Sequence, residues 1–276
     1  MSKHLDHSRF DRVRDALKYV NSLPFPLTVR QYYAFDDSTS QLKDEALDSA
    51  ESWDVLREEH PHFSISDDRE EWLKASEAIT QKDGQDGALI RRAKDVVNLV
   101  VEQLGITSIF SVGVGGAGLE YQIKKLKPGL ELTCSEYSTV AVETLKKVFI
   151  ECDSIVRFDM KSEDWSTALR EGDAKKQLCL MCRVDPHFTD EEWSKIFRHA
   201  FAAGIENILF IPCSCLTARA FWNRLFQRHT WKKQDAKYVF SGYLRTKRRF
   251  QSCWRPVYAH TELDCGGSKS FLLKKR

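Results

Sequence analysis

The sequence predicts an α/β fold: a doubly wound, mostly parallel sheet with an antiparallel C-terminal finish, preceded by an N-terminal helical cap. Three observations predict it. From Ser108 onward, short apolar runs alternate with stretches of helical length, the pattern of successive βα units. The runs are apolar throughout instead of alternating with polar residues, as expected of strands buried on both faces. The first run also opens directly into a glycine cluster, Gly113-Val-Gly115-Gly116-Ala-Gly118, which marks a strand-to-helix turn.

Along the chain, Phe10, Val13, Ala16, Leu17 and Val20 recur at helical spacing, and Leu23-Pro-Phe-Pro-Leu breaks that helix. Tyr32 and Tyr33 follow, then an acidic, Ser-rich stretch from Asp36 to Glu59. Trp53 and Trp72 read as core anchors of small helices, and no strand series stands out before residue 87. Lys82-Asp-Gly-Gln-Asp-Gly87 is the clearest turn or linker. It divides the chain into a cap, residues 1–87, and an α/β domain, residues 88–276. Leu89, Ile90, Ala93, Val96, Val97, Val100, Val101 and Leu104 form one apolar stripe of a long helix that Gly105 ends. Strands are expected at Ser108–Val114, Leu130–Ser135, Ile155–Phe158, Gln177–Val184 and Asn207–Pro212. Helices are expected at Gly116–Leu126, Ser138–Phe149, Asp190–Ala203 and Leu216–Arg228. Lys237–Leu244, Val257–Leu263 and Ser270–Lys274 read as further strands without helices between them.

Composition narrows the function classes. The 276 residues are 42% hydrophobic and 30% charged, the balance of a globular protein. No run approaches the ~18 apolar residues of a membrane span, and Met1-Ser-Lys-His-Leu-Asp-His lacks the apolar core of a secretory signal. Eight cysteines, several inside strand candidates (Cys134, Cys179, Cys182, Cys213), suit reduced thiols in the cytoplasm. Cys179 and Cys182 would point to opposite faces of one strand. Cys213-Ser-Cys215 and His60-Pro-His62 lack companion ligands, so no metal is expected. The net charge of +2 conceals an asymmetry: residues 219–276 hold 15 Lys/Arg against 3 Asp/Glu. That basic tail serves either a solvated face or an anionic substrate.

The glycine cluster and the next strand, Leu130-Glu-Leu-Thr-Cys-Ser-Glu136, outline a site for an adenosine-containing cofactor. Glycines let a ligand approach the backbone, and an acid at the following strand tip can accept hydrogen bonds from a ribose diol. As letters, Gly-x-Gly-x-x-Gly fits a nicotinamide or flavin site equally well. The setting differs: a long helix leads into the first strand, Glu136 is followed by Tyr137-Ser138, the third strand ends in Phe158-Asp159-Met160, and a short strand closes the chain. Together these features, over about Ala88 to Arg276, resemble the class I S-adenosylmethionine-dependent methyltransferases, whose domain is Rossmann-like. The resemblance implies S-adenosyl-L-methionine as cofactor. Gly113, Gly115 and Gly116 would pass under its amino-acid part, Glu136 would bind the ribose, Tyr137 would pack on the adenine, and Asp159 with Met160 would flank the adenine. Two departures stand out. The family often has an acid where this chain has Ser111, and its third glycine falls at Ala117.

The acceptor should meet the sheet just past the fourth strand, at Cys182-Arg183-Val-Asp185-Pro-His187-Phe188. Asp185-Pro-His-Phe188 is similar to the Asp/Asn-Pro-Pro-aromatic motif of methyltransferases acting on planar amino groups, with His187 in place of the second proline. Asp185 and His187 are the candidate catalytic residues; Arg183, Tyr32 and Tyr33 are candidate substrate contacts. Thr189 or Asp190 could equally cap a helix here. The expected activity is methyl transfer to an O or N atom of a small or medium-sized metabolite, which the basic tail allows to be anionic. The alternatives are a nucleic-acid methyltransferase using Tyr243–Arg255 and a non-catalytic cofactor-binding scaffold. The oligomeric state is not readable from the sequence.

Overall fold

The computed structural model describes residues 23–34, 50–59, 64–78, 81–82, 85–161, 164–170, 172–218, 221 and 239–276. The helix expected around Phe10–Val20, the acidic stretch from Asp36 as far as residue 49, His60-Pro-His62 and most of the helix expected at Leu216–Arg228 lie outside them.

Among the described residues, seven strands form the main sheet, in the order β10-β11-β8-β7-β4-β5-β6. β4 (Ser108–Val112), β5 (Glu131–Glu136), β6 (Ser154–Arg157), β7 (Gln177–Cys182) and β8 (Asn207–Ile211) are parallel. β11 (Ser268–Lys275) joins β8 antiparallel, and β10 (Tyr258–Cys265) joins β11. The core strands are buried on both faces, all five residues of β4 and of β8 included. Successive side chains on a strand point to opposite faces, and the sequence exploits this. Ile109, Leu132, Leu180 and Leu209 make an aliphatic layer with Val96, Val97 and Val100. Phe110, Cys179, Met181, Ile208 and Phe210 face an aromatic layer of Trp165, Trp193, Phe197, Phe250 and Trp254.

The helix leading into β4 is α3 (Ala88–Val96), continued by a π-helical stretch (Val97–Val101) and a last turn (Glu102–Leu104). It ends on left-handed Gly105, across which the Ile106 N–H donates to the Val101 carbonyl at 2.9 Å, a closed C-terminus of Schellman type. α4 (Gly118–Leu126) follows β4, and α5 (Thr139–Val148) follows β5 with Ser138 as its cap. α6 (Asp190–Ala202) follows β7 and opens on a complete capping box of Thr189 and Glu192. Among the described residues, the crossover from β6 to β7 carries 3₁₀ turns at Trp165–Ala168 and Ala174–Lys176. It leaves a cavity of about 680 Å³, lined among others by Ser108, Thr133, Arg170 and Gln177, toward the N-terminal ends of the strands.

Three expectations are corrected. The segment before residue 87 is not without strands: β1 (Thr28–Ala34) is extended, as its Thr, Val and two Tyr favour, and β2 (Gln81–Lys82) with β3 (Gln85–Asp86) forms a small hairpin at the expected turn. β9 (Val239–Arg245) does not finish the main sheet; it pairs with β1 in a separate two-stranded ribbon, Thr28 opposite Arg245. A helix, α7 (Lys247–Trp254), stands where strands alone were expected. Thr246 caps it by accepting from the Arg249 N–H, and Phe250, Cys253 and Trp254 bury one face. Two short helices, α1 (Ala50–Glu59) and α2 (Arg69–Ala78), complete the described N-terminal part.

Candidate active site

Chain order runs outward from β4 through β5 to β6, then returns to the other side of β4 at β7. This reversal makes a crevice beyond the C-terminal ends of β4 and β7, the place where open α/β sheets bind ligands. The glycine turn after β4 lies in it. Gly113 is left-handed (φ 65°), and a methyl group there would lie 2.5 Å from Val184 Cγ1; only glycine fits between the two loops. Gly115 is also left-handed (φ 57°), yet a methyl on it would meet nothing within 4 Å, nor would one on Gly116. The turn therefore presents open space to an approaching ligand. Trp72, from α2, secures it from below by donating its indole N–H to the Gly116 carbonyl at 2.9 Å.

Glu136 closes the adjacent side. Its carboxylate, 6% exposed, accepts from the Gly115 N–H at 2.7 Å and from the Tyr137 N–H at 3.0 Å, and the Arg57 guanidinium lies 3.4 Å from Oε1. Tyr137 is half-buried beside it, with the Arg157 guanidinium 5.7 Å from its ring centre. Asp159 sits at the end of the neighbouring strand, where Oδ1 accepts from the Lys161 N–H at 2.9 Å. Met160 is buried, part of the aromatic layer, and its carbonyl accepts from the Trp165 indole at 3.1 Å.

An acid that sequence reasoning missed stands behind the turn. Ser111 occupies the strand position where an acid was absent, and its hydroxyl donates to Glu120 Oε1 at 2.7 Å. Glu120, in the first turn of α4, is 2% exposed, and burial pushes its pKa up to about 7. The available signal was the phase of Glu120 with Leu119 and Ile123 on the inward side of that helix. Ala117, at the third-glycine position, is left-handed (φ 57°) and fully buried.

Across the crevice, Asp185-Pro-His187 forms a 3₁₀ turn. Asp185 is fully buried; Oδ1 accepts from the Cys213 N–H at 2.6 Å, while Oδ2 has no hydrogen-bond partner among the described residues. Burial raises its pKa to about 6. Arg245, which is also fully buried, braces the whole loop from β9. It donates to the Asp185 carbonyl at 3.1 Å, to the Phe188 carbonyl, and to Asp190 Oδ1 at 2.5 Å. Asp190 Oδ2 takes Arg249 at 2.7 Å and the Thr28 hydroxyl at 2.8 Å. Nothing in the sequence marked Arg245 beyond a base at the end of an apolar strand. His187 lies against Trp53, ring centres 4.7 Å apart and edge to face, and burial lowers its pKa to about 4. Arg183 is exposed, with an unusual left-handed backbone (φ 61°). Tyr32 and Tyr33 pair through the β1 backbone with Ser241 and Phe240; their side chains lie outside the described residues. The structure thus brings the Gly113–Gly116 turn, Glu136 and Tyr137 together at one edge, sets Asp185 and His187 on the facing loop, and turns Met160 into the core.

No family model and no curated protein matches this sequence. Solved structures do match. The mitomycin 7-O-methyltransferase MmcR aligns over 82% of this chain and 72% of its own, with TM-score 0.51 and 14% identity. Human N-acetylserotonin methyltransferase, solved in complex with S-adenosylmethionine, aligns over 75% with TM-score 0.50 and 17% identity. The PH0226 protein from Pyrococcus horikoshii OT3 aligns over 75% of this chain and 99% of its own, with TM-score 0.52 and 10% identity. This chain spans 56% of the length of the human methyltransferase chain. At these identities the likeness is one of fold: a Rossmann-like sheet shared with methyltransferases.

Proposed function

We propose that this protein is an S-adenosylmethionine-dependent methyltransferase acting on an O or N atom of a small or medium-sized metabolite. The observation that carries the reading is the Glu136 carboxylate, held 2.7 Å from the Gly115 N–H beside a turn with room for a ligand. The residues present fit that cofactor. Gly113, Gly115 and Gly116 would let its amino-acid part pass; Glu136 would take the ribose hydroxyls; Tyr137 would face the adenine, with Asp159 beside it. Met160 would contribute through packing. When bound, the cofactor supplies an electrophilic methyl on a sulfonium.

The chain's own work is positioning. His187, neutral down to about pH 4, can accept a hydrogen bond from an acceptor hydroxyl or amine but is too weak a base to draw a proton far. Asp185 Oδ2, buried and without a hydrogen-bond partner among the described residues, would have to be uncovered to take one from the acceptor. Residues 1–87 would act as the cap over residues 88–276, with Tyr32, Tyr33 and Arg183 near the acceptor. A small acceptor, with no nucleic acid needed, is supported by the basic segment's internal use. Lys247 pairs with Glu262 at 2.8 Å and Arg249 with Asp190 at 2.7 Å, while Phe250 and Trp254 are buried. Two structural neighbours are also named for small acceptors. Eight free thiols support a reducing, cytoplasmic setting. No described helix is long and apolar enough to cross a membrane.

Calorimetry with S-adenosylhomocysteine tests the reading. Binding is expected, and Glu136→Ala should weaken it about 10- to 100-fold, the scale of hydrogen bonds to a charged group. A folded wild type that does not bind ends the methyltransferase reading. Equal binding by Glu136→Ala removes the ribose contact.

A further inference from the structure

Helix α1 presents three side chains, Trp53, Asp54 and Arg57, at spacings that share one helical face. Each reaches a different point on the C-terminal edge of the sheet. The Trp53 ring meets His187 at 4.7 Å, on the loop after β7. Asp54 accepts from the hydroxyl of Ser138, the residue that caps α5 after β5. Arg57 lies 3.4 Å from Glu136 Oε1 at the tip of β5, with only 9% and 8% of the two side chains exposed. Because β7 and β5 flank β4 in the sheet, a helix tied to the ends of both spans the glycine turn between them.

The tie falls on the atom that matters. Both Glu136 oxygens are engaged: Oε2 by the Gly115 N–H, Oε1 by the Tyr137 N–H and Arg57. A ribose diol needs acceptor positions on that carboxylate. We propose that α1 is a strap across the donor site, and that Arg57 is the group the incoming ribose displaces from Glu136. This rests on the donor reading above. The exchange is close to balanced. A buried ion pair gains little net over its desolvation cost, and a displaced guanidinium regains water as the diol takes its place. Two consequences follow. Donor affinity is reduced by the fraction of molecules whose strap is shut. Release of α1 also withdraws Trp53 from His187, so donor entry loosens the contact that covers the acceptor loop.

The experiment pairs calorimetry with hydrogen exchange, using S-adenosylhomocysteine as probe on the full chain. Arg57→Met, which keeps most of the apolar stem, should bind the probe several-fold tighter than wild type. Amides of residues 50–59 should exchange faster in Arg57→Met before the probe is added, and faster in wild type after it. The wild-type exchange arm stands even where the variant fails to fold. Weaker binding by Arg57→Met, with α1 protected by the probe in wild type, would make Arg57 a ligand contact and overturn the strap. Equal affinities with unchanged α1 exchange would overturn it too, leaving the donor reading intact. If neither folded protein binds the probe, the donor reading fails and the strap's role falls with it.

Discussion

The two sides of the crevice are held in opposite ways. On the donor side, Glu136 is met by two backbone N–H groups and by one guanidinium at 3.4 Å from a separate helix. On the acceptor side, Asp185 is fully buried, and its loop is braced by a fully buried Arg245 whose bonds reach Asp185, Phe188 and Asp190. The difference teaches what each side is for. A carboxylate whose nearest charge comes from a short, separately tethered helix can trade that partner for a ligand. A loop pinned by buried charge and backbone bonds cannot rearrange without breaking several contacts at once, and it is suited to holding a reacting group still.

The largest effect that would sharpen this contrast is expected at Arg245. Replacing it by Met leaves Asp190 short of one partner, the Phe188 carbonyl without its guanidinium donor, and the Asp185 carbonyl with the Trp193 indole alone. Removing one member of a buried pair costs about 3–5 kcal/mol. Arg245→Met should therefore lower stability by up to that amount in denaturant unfolding, whereas Arg57→Met should cost less, because Glu136 keeps two backbone N–H partners when the guanidinium is gone. Arg245→Lys should not rescue it, since one ammonium cannot serve three directions. Equal losses at Arg57 and Arg245 would erase the distinction between a brace and an exchangeable tie.

A second effect is on pH dependence, where a raised carboxyl on each side opposes the lowered His187 of the acceptor loop. Burial raises Glu120 from 4.5 to about 7 and Asp185 from 3.8 to about 6. A carboxyl with a raised folded pKa binds more protons folded than unfolded, so stability falls as pH rises through the interval between the two values. For Glu120 that interval is about pH 4.5 to 7, and the loss is on the order of 3 kcal/mol by 1.36 kcal/mol per unit. Glu120→Gln should remove this term, matching wild type near pH 4 and exceeding it by up to about that amount at pH 8. His187 acts in the opposite sense. Its lowered value, about 4, means stability is lost as pH falls from 6.5 toward 4. Thermal unfolding of wild type, Glu120→Gln and His187→Gln across pH 4–8 would resolve the two limbs. A flat difference between wild type and Glu120→Gln would show that Glu120 does not titrate in this range.

How much of this was legible in the sequence depends on where each signal resides. The five parallel strands were placed to within a residue or two because their apolar runs are local. The glycine turn and Glu136 were legible for the same reason: a strand tip, a turn and a second strand tip lie within thirty residues. The β1–β9 ribbon was not, because Thr28 finds its partner at Arg245, and neither segment carries a signal naming the other. α7 was hidden by its charge. Lys247, Arg248 and Arg249 read as a basic surface, with Phe250 and Trp254 expected either to stack on a ligand or to turn inward; they turn inward, on a helix that Thr246 caps. Glu120 and Arg245 were missed because buried charge is defined by its neighbours, Ser111 in one case and a distant loop in the other.

The smallest effect bears on the donor side alone. Ala117 takes a left-handed conformation, φ 57° and ψ 21°, at the start of α4, where a glycine would be unstrained. It keeps its methyl in a fully buried position between the glycine turn and the aliphatic layer. Two terms oppose each other in Ala117→Gly. Relief of left-handed strain favours the variant by about 1 kcal/mol, while the loss of a buried methyl and the added freedom of the unfolded chain together cost a similar amount. The net change in unfolding free energy should stay within about 1 kcal/mol of zero, and S-adenosylhomocysteine affinity should be unaltered, because the residue faces the core. A fall in that affinity without a fall in stability would mean that Ala117 shapes the turn itself, and that the donor side is less tolerant of change than its exchangeable carboxylate suggests.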